Sequence, residues 1–201
     1  MRIALVVHQF PPEHIGGTEI YTWSLGRALA RLGHQVHVFL PQQPGLSEPV
    51  SQEQDGMHIW RAQRGKEGLA GPAQQFWRTF RSGALERAFA AFLAQVQPDI
   101  VHFQHLQRVS VRLISLAASL PRVLTLHDYW YFCPNSQLIR PDHRICSGPR
   151  RGWRCAECGL DRLQSRSAKL ISKLAALPFA YRYHHVLQEL GAIEQFIAPS
   201  A

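Results

Sequence analysis

Cysteine is scarce and clustered. Only four of the 201 residues are cysteine, and all four fall between positions 133 and 158. Long apolar runs are missing altogether: none approaches the ~20 residues that span a bilayer. The apolar stretch after Arg2 ends at His8 and Gln9. That is too short for the apolar region of a signal peptide, and no small-residue cleavage site follows. The chain is therefore read as cytosolic, where disulfides rarely persist. Internal repeats and low-complexity tracts are also lacking; the 14 glycines and 13 prolines sit mostly at turns. Acidic residues are in the minority, 14 against 22 Lys and Arg, for a net charge of +8. Such an excess favours anionic partners such as phosphates, acidic lipid headgroups or nucleic acid, without choosing among them. The basic residues are densest from Arg140 to Lys173 and are mostly arginine, which suits phosphate geometry. A solvated surface accounts for them equally well.

Three nucleotide and metal signatures are absent as well. There is no GxGxxG, and the second predicted strand finishes "VFLPQQ" without an acidic residue, which excludes a dinucleotide-binding fingerprint. There is no GxxxxGK[ST], so the chain is not a P-loop protein, and no HExxH or similar spacing that would mark a catalytic metal.

What is present is an alternation of strand and helix. With 46% hydrophobic and 18% charged residues, the chain can bury a sizeable core as one domain, or as one domain with a large insertion. "RIALVVHQF" reads as a buried parallel strand. Thr18 is a good N-cap for the helix after it. Ile20, Trp23, Leu25, Leu29 and Leu32 recur near helical spacing, and Gly33 signals the helix end. "HQVHVFLP" and, after a polar loop, "GMHIWRAQ" are the next strands. Helix is expected over 72–95, with a break near Gly83 and the firmer stretch from Ala84 to Val96. "QPDIVHFQH" is a strand, Ser110 to Ser119 a short helix, and "RVLTLHDYW" a strand ending on His127 and Asp128. Residues 133–159 look irregular. Leu163–Leu177 and Tyr181–Leu190 read as helices separated by Pro178, and "QFIAPS" as a last short strand.

This alternation predicts an α/β fold, a doubly wound Rossmann-like parallel sheet. Ligands of such sheets bind beyond the carboxyl ends of the strands. Three of those ends carry histidine: His8, His102 with His105, and His127 with Asp128. A strand-end histidine can hydrogen-bond a sugar hydroxyl, and an adjacent carboxylate can act as a base or orient a loop. Gly16 and Gly17 open the first helix, where a bare backbone allows close approach and the helix end favours an anion. An ordinary tight turn would use the same residues.

The cysteines, Cys133, Cys146, Cys155 and Cys158, are spaced C-x12-C-x8-C-x2-C. Four cysteines in one Pro-, Gly- and Arg-rich segment fit a structural zinc held by thiolates, which would fold a segment with little apolar core. Free thiols, two disulfides and an iron–sulfur cluster are the alternatives. From Arg162 to Leu190, Arg166, Lys169, Lys173 and Arg182 alternate with apolar residues. That is the pattern of a helix lying on an anionic membrane, and equally of one packed on the sheet.

Taken in order, "PPEHIGGTEIYTWSLGRALARLGHQVHVF", "PDIVHFQH", "VLTLHDYW" and "FIAPSA" resemble the N-terminal, acceptor-side half of family-4 glycosyltransferases. These are retaining enzymes of the two-domain GT-B fold. The cysteine-bearing insert after "HDYWYFCP" resembles that of a bacterial subset of the family. The resemblance implies a hexosyltransferase-type enzyme that moves a sugar from a UDP- or GDP-sugar donor to a glycan or lipid-linked acceptor in polysaccharide biosynthesis, without a catalytic divalent metal. It places Gly16 and Gly17 in the cleft beside the donor diphosphate and the acceptor, and His127 at the transferred sugar with Asp128 beside it. His8, Glu19 and His105 fall on the acceptor side by position.

The family's second domain, which binds the nucleotide through basic residues and an E-x7-E motif, has no counterpart here. The chain stops about where the first domain would end, so a C-terminal domain is expected in cis or trans, and this half alone is expected to be inactive. Peripheral contact with the inner face of the membrane is compatible with the basic stretch. Two other readings stand beside this one. The first is a non-catalytic, zinc-stapled basic module binding nucleic acid or a partner protein, favoured by the charge but not by the strand-end histidines. The second is another sugar-nucleotide enzyme of the same fold, such as an epimerase.

Overall fold

A computed structural model describes residues 1–41, 50–63, 76–162 and 168–199. The chain divides into two compact units, Met1–His127 with Ala192–Ala201, and Asp128–Gly191. The cysteine-bearing insert expected over 133–159 lies within the second.

The first unit is a seven-stranded sheet. In chain order its elements are β1 (Arg2–Val6), α1 (Gly17–Arg31), β2 (Gln35–Pro41), β3 (Val50–Gln54), β4 (Met57–Ala62), α2 (Gly83–Val96), β5 (Ile100–Phe103), α3 (Leu113–Leu116), β6 (Arg122–Thr125) and β7 (Gln195–Ile197). The strand order is β3-β4-β2-β1-β5-β6-β7, and all neighbours are parallel except β3 and β4. The doubly wound expectation holds, with one correction. "VSQEQ", read as a polar loop, is an antiparallel edge strand. Asp55 and Gly56, both at positive φ (53° and 78°), form the hairpin turn. Asp-Gly between two extended runs is a strong hairpin signal. Its polar residues suit an edge that must not pair further.

Both faces of the central strands are buried, which is why their sequences are continuous apolar runs. Leu5, Val7, Val36, Val38, Leu40, Met57 and Ile59 form one face, with Trp23, Leu29 and Ala30 of α1 packed on it. On the other face Phe39 meets Phe89 and Phe92 of α2, at ring-centroid distances of 5.1 and 5.2 Å. Phe89 also reaches Phe103 on β5. Leu85, Phe89, Phe92 and Val96 make the buried stripe of α2, at the spacing of a helix face.

Local expectations fared unevenly. α1 is capped by Gly16, and Thr18 lies inside its first turn, where its carbonyl accepts from the Thr22 hydroxyl at 2.7 Å. Its fully buried residues are Glu19, Thr22 and Gly26, whereas Ile20 and Leu32 are exposed. The helix therefore seats Thr22 and Gly26 most deeply, with Trp23 and Leu29 half-buried against the core. Gly33, at φ 85°, ends it as expected. Between Ser110 and Ser119 only Leu113–Leu116 is α-helical. The expected helix over 72–95 is broken near Gly83 as expected: 76–78 are helical, 79–82 are not, and the helix resumes at Gly83; positions 72–75 lie outside the described residues.

The second unit holds a 3-10 turn (Arg150–Gly152), α4 (Trp153–Arg162) and α5 (Ala168–Leu190). Pro178 does not separate a pair of helices; it lies inside α5. Proline there removes one backbone hydrogen bond at a cost of about 3 kcal/mol, which the helix on either side absorbs. The segment 133–159 is not irregular throughout, because Cys155 and Cys158 sit on α4. Arg182, read as belonging to a basic face, is buried. Arg166 lies outside the described residues, as do the side chains of Lys169 and Lys173. Among the described residues no helix is long and apolar enough to cross a membrane.

Gly152 is the tightest joint of this unit. Its φ is 95°, and a Cβ there would lie 2.3 Å from the backbone nitrogen of Ala180 on α5. Backbone cannot rotate out of the way as a side chain can. Gly152→Ala is therefore expected to destabilise the second unit by more than about 2 kcal/mol. Urea unfolding followed by Trp fluorescence measures this, and an unchanged midpoint would contradict it.

Candidate active site

The sheet reverses its winding direction between β1 and β5. From β1 the chain goes to β2 and β4 on one side, and β5, β6 and β7 lie on the other. A crevice opens beyond the strand ends at such a point. His8 follows β1, Gln104 and His105 follow β5, and His127 follows β6 by two residues.

The loop from His8 to Gly16 is tied down from several sides. Phe10 is buried in the core. The Pro11–Pro12 peptide bond is cis. Glu13 accepts from the guanidinium of buried Arg61, at the end of β4, through both carboxylate oxygens at 2.9 and 3.1 Å. Gln54 donates to the Pro11 carbonyl. The loop thus delivers Gly16 and Gly17, both exposed, to the start of α1. A Cβ on Gly16 would meet Glu19 Oε2 at 2.5 Å, a contact that the end of the Glu19 side chain would have to relieve by moving. The Glu19 carboxylate folds back over the helix start, where the positive end of the helix favours it.

Four of the expected residues then converge. His8 Nε2 lies 3.6 Å from Glu19 Oε1. The rings of His8 and His105 stand 4.6 Å apart. His105 is buried, its Nδ1 accepting from the Gln107 backbone N–H. On the β6 side His127 Nε2 meets Gln104 Oε1 at 3.0 Å. With the amide in this orientation Oε1 accepts, so His127 carries its proton on Nε2 and Nδ1 is an acceptor. Tyr21 places its ring edge-on to His127 at 4.9 Å.

Tyr21 and Gln104 were not foreseen. Tyr21 lies one helical turn after Gly17, on the face that the glycine exposes. Gln104 sits within the quoted "HFQH" and is fully buried, and among the described residues its amide Nε2 has no hydrogen-bond partner. A buried amide with an unused donor is costly outside a functional site.

Two expected residues have other duties. His102 does not stand at the sheet edge; it lies within β5, buried, with Nε2 2.8 Å from the Thr125 hydroxyl. Asp128 opens the second unit, where its Oδ1 accepts from the Trp130 N–H at 2.8 Å. That is a turn-forming contact. All four cysteines border one cavity of the second unit. Among the described residues, however, no three His, Cys, Asp or Glu side chains stand close enough together to hold a metal.

The family model of Glycosyltransferase Family 4 matches residues 15–171. The chain belongs to Glycosyltransferase Family 4, as the motifs implied. No curated protein matches it. Among solved structures, sucrose-phosphate synthase from Thermosynechococcus elongatus is similar at 20% identity over 63% of this chain and 33% of that one, with a TM-score of 0.49. A segment of the same synthase is similar at 21% identity over 62% of each chain, with a TM-score of 0.44. An E. coli structure described as trehalose-6-phosphate bound with UDP-2-fluoro glucose is similar at 10% identity over 89% of this chain and 42% of that one, with a TM-score of 0.40. This chain spans about a third of the length of the complete synthase.

Burial, with His127 nearby, lowers the pKa of His102 to about 4. Burial likewise lowers His37 to about 4, with His58 and Arg2 adding to the effect. Above pH 6.5 both are neutral whether folded or unfolded, and their stabilising contribution is complete. Below it the unfolded chain binds protons that the folded chain refuses until about pH 4. The thermal midpoint is therefore expected to fall steadily from pH 6.5 to 4, less steeply in His37→Gln/His102→Gln. Scanning calorimetry across that range checks it; equal slopes would contradict it.

Proposed function

We propose that this chain is the acceptor-side half of a retaining GT-B glycosyltransferase. It would transfer a hexose from a UDP- or GDP-sugar to a glycan or lipid-linked acceptor in polysaccharide biosynthesis, in the cytoplasm or at the inner face of the membrane. The observation that carries this reading is the grouping of His8, Glu19, His105, Gln104 and His127 at the reversal point of the sheet, beside Gly16 and Gly17.

Sugar hydroxyls both donate and accept, and this set offers both kinds of partner. The Glu19 carboxylate is acceptor-only, the Gln104 amide supplies donors, and the histidines supply either according to tautomer. The bare backbone at Gly16 and Gly17 admits a substrate close to the start of α1. Glu19 already occupies some of that positive helix end, so this half is better suited to hydroxyls than to a diphosphate. Charge on the leaving diphosphate then falls to basic groups of a second domain, in cis or trans. His127 stands at the transferred sugar, and Gln104 positions it by fixing its proton on Nε2. Asp128 supports the turn that follows. No divalent metal participates in this scheme.

The 201-residue chain alone is expected to release no nucleoside diphosphate from a panel of sugar nucleotides, and the product of a longer native gene or a reconstituted pair of chains is expected to do so. In that active form His127→Ala should lower kcat by about 100-fold or more. Gln104→Leu should lower kcat by roughly tenfold with little change in KM for the donor. Rapid turnover by the 201-residue chain, or an unaffected His127→Ala enzyme, would refute the assignment.

A further inference from the structure

The sugar chemistry has no use for the four cysteines. All four are free thiols, half-buried, and border a cavity of about 210 Å³ in the second unit. They arrive there from three separate pieces of backbone. Cys133 closes the turn that begins at Tyr129, its N–H donating to the Tyr129 carbonyl at 2.7 Å. Cys146 ends the excursion bridged at Ile139 and Ile145, its N–H donating to the Leu138 carbonyl at 2.7 Å. Cys155 and Cys158 lie in the first turns of α4, three residues apart and hence on one face.

The surroundings of the cavity are cationic. Arg140 and Arg154 line it, and among the described residues no carboxylate does. Arg182, only 2% exposed, donates to the Trp130 carbonyl at 2.5 Å and stands over the Trp130 ring, with its guanidinium carbon 4.9 Å from the ring centroid. The ionisable groups close enough to act on it are the thiols of Cys155 and Cys133. Among the described residues Arg182 has no carboxylate partner. Burying a permanent cation costs several kcal/mol unless an anion compensates it. Neutral thiols do not compensate it; thiolates do.

We infer that Cys133, Cys146, Cys155 and Cys158 form a structural tetrathiolate zinc site, with Arg182 as its buried counter-charge. One Zn²⁺ displaces four thiol protons to solvent and forms four Zn–S bonds, leaving a centre of net charge −2. Arg182 and Arg154 would offset that charge, and Arg140, 3.7 Å from Asp142, borders the same cavity. The sulfurs ring the cavity instead of meeting at a point, so binding would draw them inward to about 2.3 Å from the ion. The loop pieces that move are those with little helix or sheet to hold them, and metal binding then contributes directly to folding the unit.

The test uses the 201-residue chain, purified without chelators. Elemental analysis is expected to give close to one zinc per chain, and four thiols that react with a thiol reagent only after a chelator is added. Replacing zinc by cobalt should give the intense visible bands of a tetrahedral thiolate centre, a readout that needs no variant. Cys155→Ser should lose that spectrum. Arg182→Met should weaken zinc retention about tenfold or more, and Arg182→Lys should recover some of it. Metal-free protein with four reactive thiols would overturn the inference. So would two disulfides, or a brown chromophore with iron and sulfide. None of these outcomes depends on glycosyl transfer, so the inference and the proposed function fail separately.

Discussion

Leu5 and Val6 are neighbours in sequence and face opposite sides of one sheet, and both are fully buried. A strand in that position must be covered by a helix on each side, and α1 and α2 supply the covers. Two covered faces force the chain to wind outward from β1 in both directions, which creates the reversal between β1 and β5. Side chains inside the strands are committed to packing. Only the residues just past the strand ends are released from it, and there His8, Gln104, His105 and His127 stand. The candidate site beyond the strand ends is thus a consequence of how the core is kept dry.

Within the candidate site, one carboxylate sets the character of the proposed chemistry. Glu19 sits in the first turn of α1, paired with His8 and folded over Gly16. In the proposed function it turns a helix end that would otherwise attract phosphate into a place for neutral, hydroxyl-rich groups. A strongly basic chain therefore presents a locally acidic binding point. The overall charge, which pointed to anionic partners, is a poor guide to what this particular crevice binds.

The central strands were legible because burial on both faces leaves unbroken apolar runs such as "IALVV" and "VHVFL" in the sequence. The strand-end histidines could be read for the same reason, as polar residues where those runs stop. β3 escaped because an exposed edge strand carries no apolar period, although Asp55-Gly56 marked its turn. Thr18 looked like a cap by residue type, but the backbone turns two residues earlier, at Gly16. Pro178 looked like a break, but proline stops a helix only where the flanking turns cannot absorb the missing bond. Gln104 could not be foreseen as a partner of His127, because pairing across two strand ends depends on register, which no local pattern encodes. Arg182 looked like surface, since sequence alone does not say which cation of an amphipathic stretch turns inward.

β6 and β7 lie side by side and parallel, Thr125 opposite Ile197, yet the chain between them makes the whole second unit. It leaves at the end of one strand and returns at the start of the next, points two residues apart in the register and so about 7 Å apart along the strands. Any connection that spans this gap preserves the register, so the sheet sets a fixed pair of docking points and leaves what hangs between them free to vary. The segment Asp128–Gly191 is in this sense an exchangeable cassette. A lineage could lengthen, shorten or replace it while the β6–β7 register is kept. His127 is the last residue before the cassette begins.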